Sequence, residues 1–252
     1  MLVDIHNHIL PGLDDGPKSI EEAILLANNA VANGITHIIA TPHHHDGKYM
    51  NPSSVVEEAV VNFNKELNDK AIPLQILPGQ ETHLYNGMIA DLSKELITLA
   101  NSGKYILIEL PVNHIPTFTF DTLFQIQLKG FIPIIVHPER NMVFRKDKQK
   151  LYELVNKGSL VQVTASSLIG VNGRAIKKYI KYLIKHNLVH FISSDAHHPV
   201  RRPFLLKMAY QYVREKFSED HVTYYSENAK HVVFGTGFQP KRPISFKKVR
   251  DK

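Results

Sequence analysis

The chain has 252 residues, a size at which an α/β barrel forms as one domain, and its 43% hydrophobic and 21% charged residues describe an ordinary globular protein. It contains no cysteine, which excludes disulfides, thiolate metal sites and every phosphatase or protease that attacks with a thiolate. The net charge is +6, but residues 241–252 carry Lys241, Arg242, Lys247, Lys248, Arg250 and Lys252 against Asp251, so +5 of it sits in the tail and only +1 is left for the rest.

That distribution predicts no nucleic-acid partner, since such a partner needs a basic face across the fold. The tail reads as a solvated terminus or as a peripheral contact with an anionic membrane surface or acidic segment. No apolar run reaches the ~18–20 residues that span a bilayer. No basic segment followed by an apolar stretch opens the chain, so no secretory signal is read and a cytoplasmic location is expected.

Taken in order, the elements repeat one plan. Leu2 to Ile5 is a short apolar strand running into His6-Asn7-His8, whose histidines, two residues apart, point the same way. A turn-rich loop, Pro11 to Pro17, leads to a helix capped by Ser19 and Glu22, with Ile20, Ala23, Ile24, Ala27 and Val31 as its stripe and Gly34 at its end. Ile35–Thr41 is the second strand, ending in Pro42-His43-His44-His45, and Asn51-Pro52 opens the second helix, with Val56, Ala59, Val60, Phe63 and Leu67 inward.

Leu74–Leu77 is the third strand, closing on Gly79-Gln80-Glu81, and Tyr105–Ile108 is the fourth, closing on Glu109. A helix with Leu123, Phe124 and Leu128 on its buried face precedes the fifth strand, Ile132–Val136, which runs into His137-Pro138-Glu139-Arg140. Helices near 147–157 and 173–186 flank the sixth strand, Leu160–Val163, and the seventh, Val189–Ser193, closes on Ser194-Asp195-Ala196-His197. Helices near 203–217 and 226–234 complete the globule.

Strands alternating with helices predict parallel βα units. Potential ligands follow nearly every strand, and in a barrel those ends meet at one mouth. The expectation is therefore a single-domain seven-stranded TIM-like (β/α) barrel over residues 1–238, with a basic tail over 239–252.

Convergence would gather His6, His8, Asp14, His43, Glu81, Glu109, His137, Asp195 and His197. Nine nitrogen and oxygen ligands exceed the roughly four of one zinc ion and suit two or three ions sharing carboxylates. Imidazole with carboxylate and no sulfur favours Mn, Fe or Zn. Such ions ionise water and clamp both oxygens of an in-line displacement, which points to phosphate-ester hydrolysis. Arg140, three residues beyond a ligand, is placed to grip phosphate bidentately, and Arg202 is a second candidate. Asp4 reads as a structural carboxylate, and His37, His83, His114, His186, His190, His221 and His231 as surface or core histidines. His44, His45 and His198 lie beside ligand positions as supporting or solvent residues.

Asp4-Ile5-His6-Asn7-His8, Thr41-Pro42-His43, Gly79-Gln80-Glu81, His137-Pro138-Glu139-Arg140 and Ser194-Asp195-Ala196-His197 resemble the polymerase-and-histidinol-phosphatase (PHP) superfamily. Leu10 to Pro17, Gln127-Leu128-Lys129-Gly130 and Ser226-Glu227-Asn228-Ala229 are similar to one branch of it: the manganese-dependent tyrosine-protein phosphatases of bacterial capsule and exopolysaccharide operons, the CpsB/CapC type. The resemblance spans about residues 2–234. It implies a distorted seven-stranded barrel (the PHP fold) and a trinuclear centre: His6, His8, Glu81 and Asp195 on the first metal, Glu81, Glu109 and His137 on the second, Asp14, His43 and His197 on the third. It also implies, as partner, the phosphorylated tyrosine-rich tail of a membrane-associated tyrosine kinase controlling polysaccharide export. His198 departs from the asparagine common in that branch.

The expected reaction is hydrolysis of phosphotyrosine on protein. A phenolate leaving group, with a pKa near ~10, needs little help from a general acid. The competing readings are a small-molecule phosphomonoesterase of the histidinol-phosphatase type, a nuclease, and a non-catalytic module that docks a phosphorylated tail.

Overall fold

Short runs rich in Ile, Val and Leu, bounded by glycine, proline or polar residues, become strands buried on both faces, as parallel sheets require. The computed structural model describes residues 1–92 and 94–246. In chain order its elements are β1 (Val3–Asn7), α1 (Ile20–Ala32), β2 (His37–Ala40), β3 (His43–His44), α2 (Ser53–Asp69), β4 (Gln75–Pro78), β5 (Glu81–His83), α3 (Met88–Asp91), β6 (Tyr105–Glu109) and α4 (Thr119–Leu128). There follow β7 (Ile132–Val136), α5 (Met142–Lys146), α6 (Lys148–Asn156), β8 (Leu160–Thr164), α7 (Ala165–Ile169), α8 (Arg174–Lys185), β9 (Phe191–Ser193), α9 (Leu206–Lys216) and α10 (Glu219–Val233).

All ladders between these strands are parallel. One sheet has the order β1-β2-β4 and the other β3-β5-β6-β7-β8-β9. Among the described residues nine strands stand where seven are expected, because beyond the ends of the second and third expected strands the chain resumes as β3 and β5. Thr41-Pro42 interrupts the first, where proline offers no N–H to a ladder. Gly79-Gln80 interrupts the other, and at Gly79 a Cβ would lie 2.8 Å from Ile39 Cγ2, so only glycine lets the chain bend so close to β2. Backbone bonds bridge the two sheets: Asp195 N–H donates to His6 O (2.9 Å) and His8 N–H to Ala196 O (2.8 Å).

Alternation along the strands sends Val3, Ile5, Ile39, Tyr105, Leu107, Ile134, Leu160 and Phe191 into one apolar cluster, which Ala229 and Val232 of α10 also join. The opposite-facing Ile38, Ile76, Ile106, Ile135, Val161 and Ile192 pack with the helices in a second, larger one. Helix α4 is turned differently from expectation. Thr119, Thr122, Leu123 and Ile126 face inward, whereas Phe124 and Leu128, one turn apart on another stripe, are 58% and 70% exposed. The expected helix over 226–234 begins earlier, at Glu219, where Ser218 accepts from His221 N–H as N-cap.

The start of the expected tail lies along α8. Asn187 Nδ2 donates to Arg242 O, Ile244 N–H donates to His186 O, and Phe246 stacks near Tyr182. Lys247, Lys248, Arg250 and Lys252 lie outside the described residues.

Candidate metal centre

The ends of β1, β3, β5 and β6 and the segments after β1, β7 and β9 deliver polar side chains to a common mouth. His6 and His8 leave β1 on the same side, and their Nε2 atoms lie 3.3 and 3.2 Å from Glu81 Oε2 and 3.6 and 3.5 Å from Asp195 Oδ1. Four ligands about 2.1 Å from a shared ion in a tetrahedron would stand ~3.4 Å apart. Around this set, His43 Nδ1 is 3.0 Å from Glu81 Oε2 and 3.9 Å from Glu109 Oε2. His137 Nε2 meets Glu81 Oε1 at 2.7 Å and Glu109 Oε1 at 3.8 Å. His197 Nε2 lies 3.1 Å and His43 Nε2 3.5 Å from Asp15 Oδ1.

The ligand atoms fall into three overlapping groups, His6/His8/Glu81, His43/Glu81/Glu109 and His8/Asp15/His43/His197, each within 4.8 Å of one another. His6 Nε2, His8 Nε2, His43 Nδ1, Glu81 Oε2 and His197 Nε2 are buried without a hydrogen-bond partner. Orphaned polar atoms this deep are costly unless something else satisfies them.

The other ring nitrogens decide what these histidines can do. His6 Nδ1–H donates to Gln162 Oε1 (3.0 Å), His8 Nδ1–H to Asp14 Oδ2 (2.5 Å) and His197 Nδ1–H to Asp195 O (3.0 Å). Each proton is thereby held on Nδ1, leaving the Nε2 lone pair aimed into the cluster, as metal-binding histidines require. The donor set fits divalent metal.

Electrostatics agree. Burial opposes charge on His6, His8 and His43, but Glu81, Asp14 and Asp195 outweigh it and raise all three. Burial is likewise overcome at Glu81 and Asp195, held well below the carboxylate range by the histidines and, for Asp195, first by Arg140. Protons on the imidazoles thus answer the same demand for positive charge that a cation would meet.

Most of the predicted residues meet at this mouth; Asp14 lies behind it, and Asp15, which the sequence reading does not single out, lies in it. The structure turns Asp14 to His8 Nδ1, to Gly16 N–H (2.9 Å) and to His43 N–H (3.0 Å), away from the ion-sized gaps; burial, which would raise its pKa, is outweighed by His8, and it falls to about 2. Asp15 takes the place among His8, His43 and His197. The loop can pass so close only because residue 16 is glycine, where a Cβ would sit 2.1 Å from His8 O.

Arg140 Nη2 and Arg202 Nη2 (2.8 Å) both donate to Asp195 Oδ2, and Arg202 Nη1 is 3.7 Å from Asp15. His83, read from sequence as a surface or core residue, lies 3.4 Å from Glu109 at the mouth; its position two residues after Glu81 on a strand is the signal for it. Asp4 and Glu139 support the ends from behind: Asp4 accepts from Ser194 N–H and Oγ–H, Glu139 from Thr164 N–H and Oγ1–H. His137 (φ 30°) and Asp195 (φ 54°) hold left-handed backbone conformations that non-glycine residues adopt at a cost of ~1–3 kcal/mol.

A further group, His44, His45 and Glu95, has the spacing of a ligand set but fails the tautomer test. His44 Nδ1 accepts from Asn51 N–H (3.1 Å), so the neutral ring carries its proton on Nε2 and offers no lone pair there.

Fold and site define a parallel α/β protein with a cluster of imidazole and carboxylate groups suited to divalent metal. The chain belongs to the family described as capsular polysaccharide synthesis, CpsB/CapC, which matches residues 2–234. It is 40% identical over 250 residues to tyrosine-protein phosphatase YwqE of Bacillus subtilis (strain 168), covering 98% of each chain. It is 41% identical over 235 residues to the putative tyrosine-protein phosphatase CapC of Staphylococcus aureus, covering 92% and 91%. Its structure is similar to the crystal structure of YwqE, described with CpsB from Streptococcus pneumoniae as unique metal-dependent tyrosine phosphatases, with a TM-score of 0.94, 40% identity and coverage of 98% and 100%.

Proposed function

We propose that this chain is a metal-dependent protein-tyrosine phosphatase acting in capsular or exopolysaccharide synthesis, on the phosphorylated tyrosine-rich tail of a bacterial tyrosine kinase in the cytoplasm. Its relatives' activity and the family description support this reading. The observation that carries it is the set of Nε2 lone pairs of His6, His8 and His197, each fixed by a proton held on Nδ1, around Glu81 and Asp195.

In this reading His6, His8, Glu81 and Asp195 would hold one ion, Glu81, Glu109 and His137 a second, and Asp15, His43 and His197 a third. We take Mn²⁺ as the metal from the resemblance, with Fe and Zn compatible with the same donors. When bound, such ions supply Lewis-acid stabilisation of phosphoryl oxygens and a nucleophile at neutral pH. Arg140 and Arg202, already tethered to the outer oxygen of Asp195, present planar forks to the remaining phosphoryl oxygens and orient the ester. The phenolate leaves with a pKa near ~10, so no buried general acid is required. The broken strands are each read as one bent strand, which makes seven, closed by the bonds between β1 and the segment after β9 into a distorted barrel.

The test is phosphate release from a phosphotyrosine peptide by chelated protein, with and without added Mn²⁺, beside histidinol phosphate. Metal-restored turnover with higher kcat/KM on the peptide is expected. Preference for histidinol phosphate sinks the substrate assignment, and no metal-dependent turnover leaves only a docking role.

A further inference from the structure

A cavity of about 890 Å³ lies between α5, the start of α6 and the outer face of α8. Seven of its ten lining residues are cations (Arg145, Lys148, Arg174, Lys177, Lys178, Lys181 and Lys185), and none is acidic. Along α8 they recur at three- to four-residue intervals, which sets them in one stripe about 17 Å long. Among the described residues, the ion pairs made by lysine and arginine use Arg140, Arg202, Arg214 and Lys230, and none of these seven. A row of unopposed cations raises local anion concentration. The remainder charge of +1 conceals it, because Asp14, Asp15, Glu81, Glu109 and Asp195 are gathered at the mouth, with Asp4 and Glu139 behind it.

The groove begins beside that mouth. Arg140 touches Asp195, α5 starts two residues later, and Arg145 is on the groove wall; five residues of chain reach at most roughly 18 Å. Tyr179 Oη–H donates to Phe144 O (3.0 Å), fixing the floor of α8 to α5. Phe246, against Tyr182 and His186, stands at the far end.

We infer that this groove is a docking channel for the flank of the phosphotyrosyl substrate, a polypeptide segment carrying several further negative charges as carboxylates or phosphates. The inference rests on the phosphatase reading of the mouth. At ~3.3 Å per extended residue, the stripe on α8 accepts about five residues, and a segment some five residues from the reacting tyrosine reaches it. The concave shape favours a chain over a bilayer. Lys148, Lys177 and Lys181 are half-buried in the walls and Tyr179 is buried, where a planar headgroup surface would meet only the rim.

The test compares the full chain with its K178E/K181E/K185E variant on two phosphotyrosine peptides, alike around the tyrosine and bearing glutamates or serines about five to ten residues away on both sides. The native protein is expected to favour the acidic peptide by about tenfold in kcat/KM at low salt, through KM, and added salt to erase the gap. The variant loses the preference while turning over p-nitrophenyl phosphate as before. Fluorescence anisotropy of the unphosphorylated acidic peptide reads the groove without turnover, so a protein that binds it but hydrolyses nothing breaks the functional reading and not this one. Equal use of both peptides by the native protein, or a preference that survives in the variant, overturns the proposal. So does a charge reversal that abolishes only sedimentation with phosphatidylglycerol vesicles, which would assign the face to a membrane.

Discussion

His8 and His190 are both fully buried imidazoles at the ends of neighbouring segments, and their chemistry is opposite. At His8 the Nδ1 proton is given to Asp14 and Nε2 is left bare beside Glu81 and Asp195. At His190, Nδ1 accepts from Val161 N–H (3.0 Å) and the proton stays on Nε2. The first region holds lone pairs open for a cation, and its carboxylates raise His6, His8 and His43 toward the charged form, while burial lowers His197 to about 4. In the second, burial alone pushes His190 down to about 3, a neutral polar plug in the core. Burial therefore does not separate ligand from structural histidine. The partner of the other nitrogen does.

The largest effect that would sharpen this contrast is loss of an open lone pair. His8→Ala is expected to remove metal, measured as metal per chain after dialysis, and to lower phosphotyrosine turnover by about three orders of magnitude or more, the scale set by losing a charge-stabilising group at a reacting phosphate. His44→Ala, one residue from a ligand but with its Nε2 protonated, is expected to keep the metal content of the native protein and lose stability instead. Equal metal loss in the two variants breaks the distinction.

A smaller effect belongs to the residue behind the ligand. Asp14→Asn keeps an oxygen for His8 Nδ1–H but removes its charge. Metal affinity is expected to fall about 10–100-fold, with turnover largely recovered at saturating metal. Asp15→Ala removes the oxygen facing His43 and His197, and saturating metal is expected not to restore turnover. The reverse ranking by metal titration would return Asp14 to the ligand shell.

The two aspartates also mark where the sequence stops being legible. Ligands on strands could be placed, because alternation fixes which way His6 and His8 point relative to the buried Val3 and Ile5. Asp14 and Asp15 stand on a loop with no such period, so nothing local chooses between neighbours. Glu81, Glu109, His137 and Asp195 were readable as polar ends of apolar runs, but not the breaks at Pro42 and Gly79-Gln80, which depend on what β2 and β4 pack against. The stripe on α4 was misassigned because Phe124 and Leu128 are apolar yet exposed, and hydrophobicity does not force burial. The basic groove was invisible for another reason: net charge adds the carboxylates of the mouth to the lysines of α8 and reports their difference.

The smallest expected effect is on stability. In the native state burial holds His190 neutral down to about 3, whereas the unfolded chain protonates it below ~6.5. The unfolded state then binds more protons between those values, so this residue's contribution is fully present above pH ~6.5 and is lost as pH falls toward about 3, by up to ~1.4 kcal/mol per pH unit. Asp4, raised to about 6 chiefly by burial, works in the opposite sense over the same range, so the wild-type curve alone does not isolate the histidine. The difference between wild type and His190→Gln does. In chelated protein unfolded with urea, the variant is expected to be less stable at neutral pH and to lose one proton from the acid slope between about pH 6 and 4. Parallel curves would mean that His190 already carries a proton when folded, and the division between open and closed imidazoles would then fail at its simplest member.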